Sequence, residues 1–261
     1  MLHQITAIWK FRSFLMALVQ LDFRLRYKRS WLGGGWSLIH PIAMAAAYVV
    51  VFSGVLMQSP ASYATTLLLH LAVWGFFRDS AVGGCLALIS HETYIRQHPL
   101  PFGLYPLRFV IGYAIQALFA LAVAIAAVII VDGNPSKLGM LWAVIPALGM
   151  VFVAGWAVAT IVSFAQVHFH DTQHLLEIGA QILFFLTPIV YPPSLLVSKG
   201  MGWMVRFNPL NLYLELVRYP LTTGELPQAK LYLYGVACTL ALVGLAAATA
   251  TRFQRKIIYH L

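Results

Sequence analysis

Residues 109–131 read FVIGYAIQALFALAVAIAAVIIV, an uncharged stretch long enough to cross the hydrocarbon core of a bilayer as one helix, which needs about 20 apolar residues. Similar runs lie on either side, at 36–57, 64–90, 140–165, 174–191 and 230–250. Two are imperfect. Arg78 and Asp79 interrupt the second, and Glu177 with the Thr187-Pro188 break shortens the fifth. The composition agrees: 61% of the 261 residues are hydrophobic and only 10% charged, against about a quarter charged in a soluble domain. The predicted fold class is an all-α integral membrane protein of six transmembrane helices, a single transmembrane domain over 1–261.

The formal charge of +9 is compatible with nucleic-acid binding or with membrane orientation, and its distribution separates the two. Lys10, Arg12, Arg24, Arg26, Lys28 and Arg29 precede the first span, and Arg252, Arg255 and Lys256 follow the last. The loops at 58–63 and 132–139 hold only Asp132 and Lys137. By the positive-inside bias both termini are expected in the cytoplasm, and the 91–108 loop with Arg96 and Arg108 faces the same side. Nucleic acid is not an expected partner; membrane lipid is.

Residues 1–31 are expected to form a cytoplasmic interface helix and a basic segment. Ile5, Ile8, Trp9, Phe11, Leu15, Leu18 and Val19 alternate with Lys10, Arg12 and Gln20 at loosely helical spacing. No h-region and cleavage site are visible, so this segment is expected to be retained. Residues 36–250 form the bundle and 251–261 a cytoplasmic tail. Between the fifth and sixth spans, 191–227 is too long for a turn and too apolar for a solvated loop, and reads as short or re-entrant helices. Cys85 and Cys238 sit in apolar runs and read as packing residues.

Four features invite a chemical reading. The triple glycine Gly33–Gly35 lacks the following Gly-Lys-Ser/Thr of a phosphate loop, so it reads as a turn into the first span. Arg78 and Asp79 fall near the bilayer midplane, where charge must face the bundle interior or a wet path. Their directions differ by about 100° on a helix, so the structural alternative is an interhelical ion pair, with Glu177 as candidate partner. The functional alternative is a cationic point in a conduit. Aromatic residues at or within spans, among them Trp36, Tyr48, Trp74, Phe76, Phe77, Phe184, Phe185, Tyr191 and Trp203, serve as interface anchors, packing, or the lining of a path along which sugar faces slide. Finally, VHFHDTQH at 167–174 places His170 and His174 on one helix face with Asp171 between them. A metal-dependent intramembrane enzyme using His168, His170 and His174 is one reading. A polar joint between the fourth and fifth spans, with Asp171 as N-cap, fits the position better.

Three stretches carry a family resemblance: RYKRSWLGGGWSLIHPI (26–42), VHFHDTQHLLEIGAQILFFLTPIVYPPSLL (167–196) and FNPLNLYLELVRYPL (207–221). Together they resemble the membrane subunit of ABC-type polysaccharide exporters, which move O-antigen, capsular or teichoic-acid chains on a polyprenyl-pyrophosphate carrier. The resemblance implies a homodimeric pore with two copies of a separate cytoplasmic ATPase; ATP and magnesium belong to that partner and no cofactor to this chain. It also implies that the 91–108 loop is the ATPase-coupling segment, through His91, Glu92, Tyr94, Arg96, His98, Pro99 and Pro101. The translocation path would draw on Trp74, Phe77, Arg78, Phe184, Phe185 and Tyr191, and the lipid head would meet Arg24, Arg26, Lys28 and Arg29. Segments 192–197 and 208–219 would be outer gate helices. The family's usual arginine at the joint is replaced by His170 while Asp171 is kept, so this pair is expected to be structural, with no metal. Rival transport readings are an exporter of a drug, haem or small lipid, and a proton-coupled carrier using Asp79 and Glu177.

Overall fold

The computed structural model describes residues 10–27, 35–92, 101–133 and 139–254, and within them the chain is helical with no strand. In chain order the helices are α1 (Arg12–Tyr27), α2 (Trp36–Val55), α3 (Pro60–Gly84), α4 (Leu86–Ile89), α5 (Leu104–Asp132) and α6 (Leu141–His168). Then follow α7 (Thr172–Leu186), α8 (Pro193–Ser198), α9 (Gly202–Phe207), α10 (Pro209–Thr223) and α11 (Ala229–Phe253).

Among the described residues four helices are both long and apolar enough to cross a membrane, over Leu38–Val55, Leu104–Val131, Leu141–His168 and Ala229–Phe253. They match the first, third, fourth and sixth expected runs. For the other two runs, α3 has the length, at 25 residues, but carries Arg78 and Asp79. The fifth run yields α7, which at 15 residues extends only about 22 Å, short of a hydrocarbon core about 30 Å thick. The short α8 and α9 and the longer α10 fill the stretch that is too apolar for a loop.

The core forms around α3, which packs on α5 and α6, while α11 packs on α6 and α10 lies against both α3 and α6. Small residues bring α3 and α6 together. A Cβ on Gly84 would come within 2.8 Å of the Ala159 Cα, and one on Gly155 within 2.4 Å of the Phe76 ring. Such contacts gather dispersion energy where lipid gives helices no hydrophobic reason to associate. Beyond the Gly83-Gly84 pair, α3 breaks at Cys85 and resumes as α4, so the second expected run is two helices.

The N-terminal helix, as far as described, runs from Arg12 to Tyr27, so Arg24 and Arg26 of the basic segment lie on it. Its inner face, Leu15 and Val19, is buried against Leu104 and Leu107 at the start of α5. Asp171 does stand at the N-cap position of α7, but its helical backbone angles leave its side chain without a cap hydrogen bond. Gln166 does that work instead: its Oε1 accepts from the Gln173 N–H at 2.8 Å, and its Nε2 donates to the His170 carbonyl. The long amide clasps both sides of the joint, which a short carboxylate in αR geometry does not reach.

Asn208 caps α10 in the expected manner, its Oδ1 accepting from the Leu210 N–H at 2.9 Å, while its Nδ2 donates to Thr187 Oγ1 at 2.8 Å. That second bond ties α10 to the backbone break after α7. At its other end α10 stops at Gly224, whose φ of 74° is left-handed and suits glycine.

Candidate functional site

Helices α2, α3, α5 and α7 enclose a cleft of about 950 Å³. Its chemistry changes along its length. Toward the end where α2, α5 and α7 begin and α3 finishes, it is lined by Trp36, His40, Arg78, Asp79, Tyr113, Gln116 and Glu177. One or two helical turns away, α2, α3 and α7 line it with Tyr48, Trp74, Phe184 and Phe185, while α5 contributes Ala117 and Ala120. Phe184 stands at the centre of that group: its ring centroid lies 5.9 Å from Tyr48, 5.6 Å from Trp74 and 5.4 Å from Phe185. Offset and edge-on contacts at these spacings are favourable; Phe185 is exposed, whereas Trp74 is largely buried at the cleft wall.

Arg78 and Asp79 pair with each other, Nη1 to Oδ1 at 3.3 Å, contrary to the expectation from their angular separation. The long arginine stem bends back across the angle that separates adjacent positions. Glu177 lines the same cleft but accepts instead from Gln173 Nε2 at 3.1 Å, and it lies 3.8 Å from His174. With side chains 52% and 39% exposed, the Arg78–Asp79 pair contributes little to stability. Its chemistry is that of a polar surface: guanidinium and carboxylate groups that donate to and accept from hydroxyls.

The remaining expected path residues lie elsewhere. Phe77 is buried in the core against Tyr213, at 5.3 Å between centroids, and edge-on to Phe76. Tyr191 folds back so that its hydroxyl donates to the Phe185 carbonyl. The structure adds Tyr48, Tyr113, Gln116 and Gln181 to the cleft lining. Of these Tyr48 was singled out in the sequence as a mid-span aromatic; Tyr113 has the same residue type within the 109–131 run, while a lone glutamine in an apolar helix gives no signal until its face is known.

At the 91–108 segment His91 is buried, Glu92 is half-buried, and the Pro101 carbonyl accepts the Leu104 N–H as the chain turns into α5. Tyr94, Arg96, His98 and Pro99 lie outside the described residues, as do Lys28 and Arg29. Arg24 is exposed on α1; Arg26 lies on the same helix.

His91 belongs to a charged cluster that the sequence did not announce. Arg108, only 6% exposed, sends Nε and Nη2 to the two carboxylate oxygens of Asp22 and turns Nη1 to His91 Nε2. His91 Nδ1 faces the Ala87 carbonyl at 3.1 Å, so the ring carries its proton there and accepts from Arg108 at Nε2. Burial foremost, then the Arg108 charge, hold the His91 pKa below the ordinary histidine value, while the Ala87 bond and Asp22 oppose them.

The histidines of 167–174 point apart. His168 Nδ1 bonds the Phe164 carbonyl at 2.9 Å and its ring packs edge-on to Phe253, while His170 and His174 are exposed. Among the described residues no three His, Cys, Asp or Glu side chains converge as a metal site would need.

Apolar helices around a cleft that passes from polar to aromatic define a multi-pass membrane transport subunit. The chain belongs to the ABC-2 type transporter family, whose profile matches residues 14–222. Members of this family are transport subunits, not enzymes, and membership implies an ATP-binding-cassette ATPase as partner. Two curated relatives are O-antigen export system permease proteins RfbA of Klebsiella pneumoniae, 27% and 26% identical over 242 residues, each alignment spanning 92% of both chains. Another, of the same name from Myxococcus xanthus, is 23% identical over 248 residues, 95% of each chain.

Proposed function

We propose that the chain is the permease subunit of an ATP-driven exporter that moves a lipid-linked polysaccharide, of the O-antigen kind on a polyprenyl-pyrophosphate carrier, across the bacterial inner membrane. The observation that carries this reading is the cleft. A long carbohydrate needs a path that it wets without being held, and a stretch of hydroxyl-bonding groups followed by one of aromatic rings suits both needs. The relatives named as O-antigen export permeases support it, because they align over more than nine-tenths of both chains.

On this reading six segments span the membrane. The Arg78-Asp79 charge in α3 is sheltered by the cleft, and the short α7 is completed by the irregular 187–191 stretch. Both termini lie in the cytoplasm. The functional unit is a homodimer of single-domain chains with two ATPase copies that bind ATP and magnesium. The 91–108 segment docks on the ATPase, and the basic residues of α1 and the segment after it meet the pyrophosphate. Trp74, Arg78, Phe184 and Phe185 then touch the passing glycan. His170 and Asp171 remain a joint held by Gln166.

The test uses inverted inner-membrane vesicles holding the chain and its partner ATPase, with lipid-linked glycan supplied outside. ATP is expected to carry glycan into a protected lumen, and a Trp74→Ala, Phe184→Ala variant is expected to slow this several-fold with ATPase assembly intact. ATP-dependent movement of a small lipid with no movement of glycan would overturn the substrate class.

A further inference from the structure

We propose that Arg108 is a positioning residue that locks α1 to both ends of the 91–108 segment, so that a displacement of that segment carries the N-terminal helix with it. The inference rests on the export reading for what drives the segment, and on geometry for the lock itself.

Three separate pieces of chain meet at one guanidinium. Asp22 comes from the middle of α1, His91 from the residues just after α4, and Arg108 from the second turn of α5. The fork of an arginine suits this position, since one edge takes both carboxylate oxygens while the remaining nitrogen reaches a third partner. A lysine presents a single ammonium and does not bridge the same span. Because the Arg108 side chain is only 7% exposed, losing Asp22 would strand a buried charge, so the elements separate only at considerable cost.

Apolar packing reinforces the same junction. Leu15 and Val19 of α1 are buried on Leu104 and Leu107, one turn or less from Arg108. The His91 ring lies 5.7 Å from Tyr105 and 5.9 Å from Phe109, between centroids. Trp156, which packs on the same apolar cluster, donates from Nε1 to the Gly103 carbonyl at 3.1 Å and fixes the start of α5 to α6. The helix that carries Arg24 is therefore joined to the base of the segment by an ion pair whose arginine is buried and whose Asp22 carboxylate is 39% exposed, and by an apolar seam. An ATPase that moves the segment would in one step reposition the cationic helix that meets the lipid head.

The experiment uses the full chain in nanodiscs, alone and with its ATPase, spin-labelled at exposed Met16 on α1 and Leu118 on α5. The wild type is expected to give one narrow inter-label distance with and without ATP, and Asp22→Asn to broaden it. In the complex, Asp22→Asn is expected to keep ATPase assembly and basal hydrolysis but to lower glycan exported per ATP several-fold. Asp22→Glu, which retains both oxygens, should restore both readouts; if Asp22→Asn does not accumulate, Arg108→Lys takes its place. A wild-type distance that changes on ATP binding, or an Asp22→Asn protein with unaltered distance and coupling, would overturn the proposal. Absence of any bound ATPase would instead count against the export reading, while the distance on the chain alone still decides the lock.

Discussion

His91 sits where burial and a neighbouring guanidinium both disfavour a second proton, and this gives its titration a sign. Folded, the ring protonates only below the ordinary histidine value; unfolded, it protonates near about 6.5. In the interval between, the unfolded chain binds more protons, so stability falls as pH drops below about 6.5 and levels off once the folded ring also protonates. Among the groups around it are Arg108, Asp22, Ser90 and the rings of Tyr105 and Phe109. Thermal midpoints of the purified chain at about pH 8 and about pH 5.5 should differ more for wild type than for His91→Gln, because the variant lacks this titration. Equal pH dependence in the two would contradict the neutral, buried assignment. In the sequence Asp22, His91 and Arg108 stand far apart. Their separations of 69 and 17 positions hide a contact that exists once α1 folds back on α5.

The seam between α3 and α6 makes a graded prediction. At Gly84 a methyl would strike the Ala159 backbone, 2.8 Å from Cα, and neither helix axis yields without moving the other's neighbours. At Gly155 the methyl would strike the Phe76 ring, which borders the open cleft and has somewhere to go. Gly84→Ala should therefore cost about 1–3 kcal/mol and Gly155→Ala less, read from denaturation in mild detergent. The reverse order would contradict the packing described. Among the helices themselves, the four long apolar runs were legible because length and hydropathy suffice for them. α3 and α7 were legible only as imperfect runs, since one carries charge into a cleft and the other stops at a Thr187-Pro188 break. The Asp171 cap was misread because a good N-cap residue type does not guarantee N-cap backbone angles, and here Gln166, in the last turn of α6, supplies the bonds.

In the assembled chain the polar and aromatic residues of four helices face one cleft, and that convergence, unlike the helices, was only partly open to reading. Trp74, Arg78, Phe184 and Phe185 had been candidates by type and depth, whereas Gln116 and Tyr113 emerge only when α5 is seen to present that face to α3. Phe77, one residue from Arg78, turns into the core because helical neighbours point about 100° apart. The same cleft gives the Arg78-Asp79 charge a place that an apolar span does not. If this chain is the membrane half of an ATP-driven exporter, the tagged chain purified from native membranes in mild detergent brings with it an ATP-binding-cassette ATPase in equal amount, whose ATP hydrolysis rises when lipid-linked glycan is added. Reproducible absence of an ATPase, with tightly held metal in its place, would refute the export reading.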